Sequence, residues 1–103
     1  MSVLLEFSMF PTDKGESVSN YVSRIIEMID NSGVSYQLTP MGTIVETESI
    51  EEALEIVSRS YIELEDDCNR VYASLKIDIR KGKENRLRQK IASIEEHIGT
   101  VRT

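Results

Sequence analysis

Residues 71–80 read VYASLKIDIR, in which Val71, Ala73, Leu75, Ile77 and Ile79 are apolar and Tyr72, Ser74, Lys76, Asp78 and Arg80 stand between them. Alternation of this kind predicts a β-strand with one face in a core. Residues 3–10, VLLEFSMF, carry the same period: Val3, Leu5, Phe7 and Met9 point one way, Leu4, Glu6, Ser8 and Phe10 the other. Two shorter strands are predicted over 34–39 (VSYQLT) and 42–48 (GTIVETE), joined by a turn at Pro40-Met41-Gly42. Pro40 has no N–H to give a ladder, which puts the second strand at a sheet edge.

Between these strands the period changes to that of a helix. From about Val18, the residues Val18, Val22, Ile25, Ile26 and Ile29 form one stripe. Ser17 is placed to cap its start, and Gly33 stands where a left-handed terminator is wanted. A second helix opens at SIEE, with Ser49 and Glu52 at capping-box spacing. Ile50, Ala53, Leu54, Val57 and Tyr61 are its predicted buried stripe, and LEDDCN leads back to the strand at 71–80. A last helix is predicted from about Glu84 to His97. Its apolar residues Leu87, Ile91, Ile94 and Ile98 make a narrow seam of the kind that meets another helix, so a partner chain is expected against it.

The order is β-α-β-β-α-β plus a helix, which predicts one α+β domain over 1–103: a ferredoxin-like sandwich with a four-stranded antiparallel sheet and an extra C-terminal helix. Both crossover helices cover the same face. With the first and fourth strands taken as central, the other face shows Leu4, Glu6, Ser8 and Phe10 beside Tyr72, Ser74, Lys76 and Asp78. That mixture is too apolar for water and too charged for a core. It suits a symmetric dimer in which two sheets face each other around a polar centre. Thr43 and Glu46 fall on opposite faces of the third strand unless a bulge near Gly42 intervenes. A plain reading of Glu6, Glu46 and Lys76 is an ion-pair ladder across strands.

Composition narrows the options. The 103 residues are 40% hydrophobic and 29% charged, which fits a soluble globular domain able to bury a core without a staple. No run is long enough for a membrane span, and MSVLLEFSMF does not read as a signal peptide. Cys68 is the only cysteine, so a reducing cytoplasm is expected; its acidic neighbours (ELEDDCNR) disfavour a reactive thiolate. The net charge of −6 disfavours nucleic acid, although six of the twelve basic residues lie between Arg80 and Lys90. Spaced as they are, they read as a solvated helix face rather than a phosphate patch.

FSMFP at the end of the first strand, YQLTPMGTIVE across the second and third, and RVYASLKIDIRKG through the fourth resemble the small thiamine-binding-protein family, as do VSNYVSRII and LRQKIASI in the helices. The resemblance covers nearly the whole chain. It implies a cytoplasmic protein that forms homodimers through its sheets, often paired into tetramers. It also implies binding of thiamine or its hydroxymethylpyrimidine part without catalysis. On this sequence the implied ligand-binding residues are Ser8, Thr43, Glu46, Lys76 and Asp78. The chain departs from the family where a glycine often follows the third-strand glutamate and Thr47 stands instead.

An aminopyrimidine offers an amine donor and ring-nitrogen acceptors. A carboxylate such as Glu46 can accept from the amine, and the Ser8 or Thr43 hydroxyl can donate to ring nitrogen. Tyr72 or Phe10 can lie against a flat or cationic ring. Other functions have less in their favour. His97 is the only histidine and sits where a helix end welcomes a cation. No Ser-His-Asp set, metal-ligand cluster or glycine-rich phosphate loop marks an enzyme, a metal or a cofactor. An RNA-binding sheet of this fold needs exposed aromatics where this chain has Ile44 and Glu46, and a metal chaperone needs a CxxC that FSMFPTD lacks. A structural or regulatory homo-oligomer without a ligand is the remaining alternative.

Overall fold

In a split βαβ arrangement each crossover joins two parallel strands with a gap between them, and the gap is filled by a strand of the other unit. The first and third strands therefore take the centre. The computed structural model describes residues 1–103 and has this order: β1 (Ser2–Pro11), α1 (Ser19–Ser32), β2 (Ser35–Thr39), β3 (Gly42–Thr47), α2 (Ile50–Glu65), β4 (Val71–Arg80) and α3 (Arg86–Ile98). The sheet runs β2-β3-β1-β4, with every neighbouring pair antiparallel. The fold is α+β and ferredoxin-like, as the alternation predicts. The expectation that fails is the central place of the fourth strand: β4 is an edge, paired to β1 alone.

The core is the odd-numbered face of β1 under two helices. Val3, Leu5, Phe7 and Met9 are buried with Val45 of β3, Ile25 and Ile29 of α1, and Ala53, Ile56 and Leu64 of α2. The predicted stripe of α2 holds at Ala53, which is buried, and at Ile50 and Val57, which pack against the core, and fails at the other two positions. Ala53, Ile56, Ser60 and Leu64 face the sheet, while Leu54 and Tyr61 are exposed. Small residues allow the closest approach of helix to sheet, and the Ser60 hydroxyl satisfies itself by donating to the Ile56 carbonyl at 2.7 Å. Arg24 of α1 reaches across to α2, pairing with both carboxylate oxygens of Asp67 at 3.0 and 2.8 Å and donating to the Glu63 carbonyl.

Helix ends follow the sequence in part. Gly33 closes α1 in the left-handed conformation at φ 80°, and Ser49 caps α2 by accepting from the Glu52 amide. Ser17 does not cap α1: the helix starts after Val18 with no side-chain cap. Gly42 answers a spatial demand, because a Cβ there would stand 3.0 Å from the Phe7 carbonyl oxygen of the neighbouring strand. Gly42→Ala is expected to push β3 off β1 at a cost of about 1–2 kcal/mol, read as a lowered midpoint in urea unfolding with an unchanged slope.

The second face of the sheet is not bare. α3 crosses it, packed against β1, β3 and β2, with Leu87 and Ile91 half-buried. The seam read as a partner-binding stripe is thus divided: its first half lies against the chain's own sheet, and Ile94 and Ile98 remain exposed. What stays open on this face is the C-terminal half of β1 and the length of β4.

Candidate functional site

Register fixes which side chains share the second face. Along β1 and β4 the directly opposed pairs are Leu4–Asp78, Glu6–Lys76, Ser8–Ser74 and Phe10–Tyr72. Leu4 is also opposed to Glu46 of β3, and Glu6 to Ile44. Ser8, Glu46, Lys76 and Asp78 therefore lie on one face. Thr43 lies on the other: it opposes Phe7, is buried beneath the helices, and β3 runs to it without a bulge. The sequence places Thr43 and Glu46 apart for a regular strand, and the structure keeps them apart.

Glu46 is already engaged. α3 begins after Asn85, which adopts a left-handed conformation and makes no side-chain cap, and its first turn has no acidic residue. Glu46 reaches from β3 to supply what is missing. Its carboxylate accepts from the Arg86 amide at 2.8 Å, the Leu87 amide at 3.1 Å and the Ser2 hydroxyl at 2.5 Å. Two orphan helix N–H groups and the positive end of the helix dipole are met together. Burial by itself would raise the Glu46 pKa. The bonds from Ser2, Arg86 and Leu87, with the Arg86 charge, outweigh it and hold the carboxyl below its ordinary value.

Arg86 completes this centre. Its guanidinium donates to the Ser2 hydroxyl (3.0 Å), the Ser2 carbonyl (2.8 Å), the Asp78 carboxylate (2.9 Å) and the Asp78 carbonyl (2.7 Å). Asp78 is therefore a clamp for α3 on the edge strand, although its carboxylate is otherwise open to solvent. Sequence reading missed Arg86 and Ser2. The available signal was the uncapped, base-rich start of the last helix, which needs an acid from elsewhere in the fold.

The other two residues, Ser8 and Lys76, border a niche of about 300 Å³ farther along the face, with Glu6, Phe7, Met41 and Ser74. Lys76 Nζ stands 3.7 Å from Glu6 Oε1, both largely in solvent. This is the cross-strand pair of the expected ladder, and Glu46 is not part of it. One step along the strands, the Phe10 and Tyr72 rings lie 5.9 Å apart at 43°. A carboxylate, two hydroxyls and an aromatic pair thus succeed each other at the spacing of alternate residues, about 7 Å per step. A larger cavity of about 390 Å³ lies on the opposite side, between α1 and the β2–β3 hairpin. It is mostly apolar, and Thr43 is in its wall.

Cys68 is buried, and burial followed by the charges of Asp67 and Asp13 raises its pKa. This agrees with the unreactive thiol that the acidic neighbours suggest. His97 sits in the last turn of α3. No helix is long and apolar enough to cross a membrane.

Comparison with known proteins agrees with this architecture. The family model described as thiamine-binding protein matches residues 5–95. A UPF0045 protein of Methanocaldococcus jannaschii is 37% identical over 94 residues, covering 91% of this chain and 93% of the relative. A UPF0045 protein of Mycobacterium bovis is 33% identical over 98 residues, covering 95% and 96%. The crystal structure of a hypothetical M. jannaschii protein superposes with a TM-score of 0.80 at 37% identity, over 92% of this chain and 97% of that one. A Thermotoga maritima protein provisionally assigned to thiamine biosynthesis or salvage superposes with a TM-score of 0.78 at 26% identity, over 91% and 99%. Fold and sequence agree: the chain belongs to the thiamine-binding protein family.

Proposed function

We propose that this protein is a non-enzymatic cytoplasmic oligomer that binds thiamine or its hydroxymethylpyrimidine part in the niche bordered by Glu6, Ser8, Ser74 and Lys76. The observation that carries the reading is the row along β1 and β4, in which a carboxylate, paired hydroxyls and an aromatic pair share one face. Glu6 takes the part first given to Glu46: its exposed carboxylate accepts from the exocyclic amine, and the Ser8 or Ser74 hydroxyl donates to ring nitrogen. Tyr72 and Phe10 offer a surface to a thiazolium, and the aromatic quadrupole favours a cation there. A space of about 300 Å³ is at the small end for ligand sites and suits one substituted ring. A second copy stacked on the uncovered part of the face closes the niche from water. Family membership supports the ligand class.

A structural oligomer with no ligand is the competing reading. It is favoured by the bonds of Glu46 to Ser2 and α3, which give one polar group of this face a purely structural task. Titration calorimetry separates the two. Thiamine and hydroxymethylpyrimidine are expected to give saturable heat, and Glu6→Gln is expected to weaken binding about tenfold, the equivalent of 1.4 kcal/mol, with the melting temperature unchanged. Absence of heat at millimolar ligand removes the binding reading.

A further inference from the structure

The basic run between Arg80 and Lys90 does not lie on one helix face. Arg80 is the last residue of β4, Lys83 belongs to the connection, and Lys90 is in the second turn of α3. Arg80 shares the second face of the sheet with Asp78, two residues before it. On α3, Arg86, Gln89, Lys90, Ser93 and Ile94 follow one another at helical spacing, so one flank of the helix is turned toward the end of β4. These side chains, with Leu4 and Asp78, line a groove of about 460 Å³ between helix and strand.

Charge is sorted around it. Four cations and one carboxylate line the groove, a net charge of +3 in a chain whose own net charge is −6. The one carboxylate, Asp78, is matched by Arg86 at 2.9 Å. Arg80, Lys83 and Lys90 take part in none of the three ion pairs of the chain, although it has eighteen acidic residues. Glu84, next to Lys83, lines a different pocket with Glu46, Glu48 and Glu52. Cations gathered without counter-charge repel one another, and an anion placed among them turns that repulsion into attraction. The start of α3 plays no part in this, because Glu46 already occupies its first amides.

We propose that this groove binds the diphosphate end of a small organic ester. A phosphate monoester carries about −1.5 to −2 at neutral pH, less than the charge of the groove, and a diphosphate is the closer match. The Arg80 guanidinium offers a planar fork to two phosphate oxygens, Lys83 and Lys90 supply point charges, and Gln89 and Ser93 add neutral donors. Leu4, half-buried, and Ile94, exposed, give an apolar footing for the body of the ester. The volume is within the range of small-ligand sites and leaves room for such a body. The negative charge of the rest of the chain disfavours a long polyanion such as nucleic acid, which would extend beyond the groove. The groove shares no lining residue with the niche of Glu6, Ser8, Ser74 and Lys76, so it stands whether or not thiamine binds there.

Titration of the whole chain with inorganic pyrophosphate, followed by calorimetry and by amide shifts, tests the proposal. Saturable binding is expected, tighter than that of inorganic phosphate, with shifts at Arg80, Lys83, Gln89 and Lys90. Lys83→Gln with Lys90→Gln is expected to weaken pyrophosphate at least about tenfold with an unchanged melting temperature, since both side chains are exposed. Lys81→Gln with Arg88→Gln removes the same charge outside the groove, and at about 0.15 M salt is expected to weaken binding less than about twofold. Phenyl phosphate is expected to bind more tightly than inorganic phosphate, its ring lying on Leu4 and Ile94. Absence of pyrophosphate binding at millimolar concentration overturns the proposal, as do equal losses in the two double variants, which would mean attraction by net charge alone. Equal affinity for phenyl phosphate and phosphate overturns the ester, because a site for a free inorganic anion gains nothing from the ring.

Discussion

Replacing Glu46 with alanine is expected to release α3 from the sheet and to lower folding stability by about 3 kcal/mol. The figure follows from what is left behind. The Arg86 and Leu87 amides lose their acceptor, the Ser2 hydroxyl loses its partner, and the Arg86 guanidinium, still paired with Asp78, loses a second nearby negative charge. Asn85, with its left-handed backbone and no capping bond, cannot substitute. Urea unfolding measures the loss, and hydrogen exchange locates it, with amides of residues 86–98 opening before those of β1. The effect depends on pH with a definite sign. A carboxyl held below its ordinary value in the folded state contributes its stability above the unfolded value, about 4.3. That contribution is lost as pH falls through the lowered folded value. Asp13 and Asp67 are lowered as well, by the Asn69 amide and by Arg24 respectively, and add losses of the same sign. Comparing the parent with Glu46→Gln isolates the Glu46 share: the two should converge as pH falls through the lowered folded value of Glu46.

The second large effect is at Arg86. Arg86→Ala removes a guanidinium that is 10% exposed and makes four hydrogen bonds to two strands, and a loss of about 3 kcal/mol is expected. Arg86→Lys should recover little. A single ammonium cannot span the Ser2 and Asp78 carbonyls together with the Asp78 carboxylate, whereas the planar fork does so in one rotamer. Because Glu46 and Arg86 share Ser2 and the start of α3, the double alanine variant is expected to lose less than the sum of the single losses. Full additivity would mean that the two act on separate parts of the structure.

These contacts show where sequence reading reaches and where it stops. The period of two in VLLEFSMF and VYASLKIDIR and the helical stripe of Ile25 and Ile29 follow from local geometry, and the structure has those strands and that helix. Gly33 and Ser49 act as the local chemistry of helix ends requires. The neighbour of each strand is not local. An apolar row such as Leu75, Ile77 and Ile79 looks the same whether its own helix covers it or another chain does, and that ambiguity hid the edge position of β4. The stripe of α2 was misread for a related reason. The sheet takes Ala53, as predicted, together with Ser60, and a small polar serine carries less weight in a hydrophobic pattern than Leu54 and Tyr61. In the site, opposite faces for Thr43 and Glu46 were legible from the strand period. The bond of Glu46 to the start of α3 joins residues 40 apart in sequence, and no local pattern announces it. A helix start without a cap leaves a donor deficit whose remedy only the folded chain reveals.

Chemical-shift mapping on the amide spectrum during a thiamine titration tests the central claim most directly. The account predicts progressive shifts concentrated at Glu6, Ser8, Ser74 and Lys76, with Phe10 and Tyr72 following, and little change in the cavity between α1 and the hairpin. Shifts confined to Val22, Ile26 and Thr43 on the helix side, or an unaltered spectrum at millimolar thiamine, would contradict it.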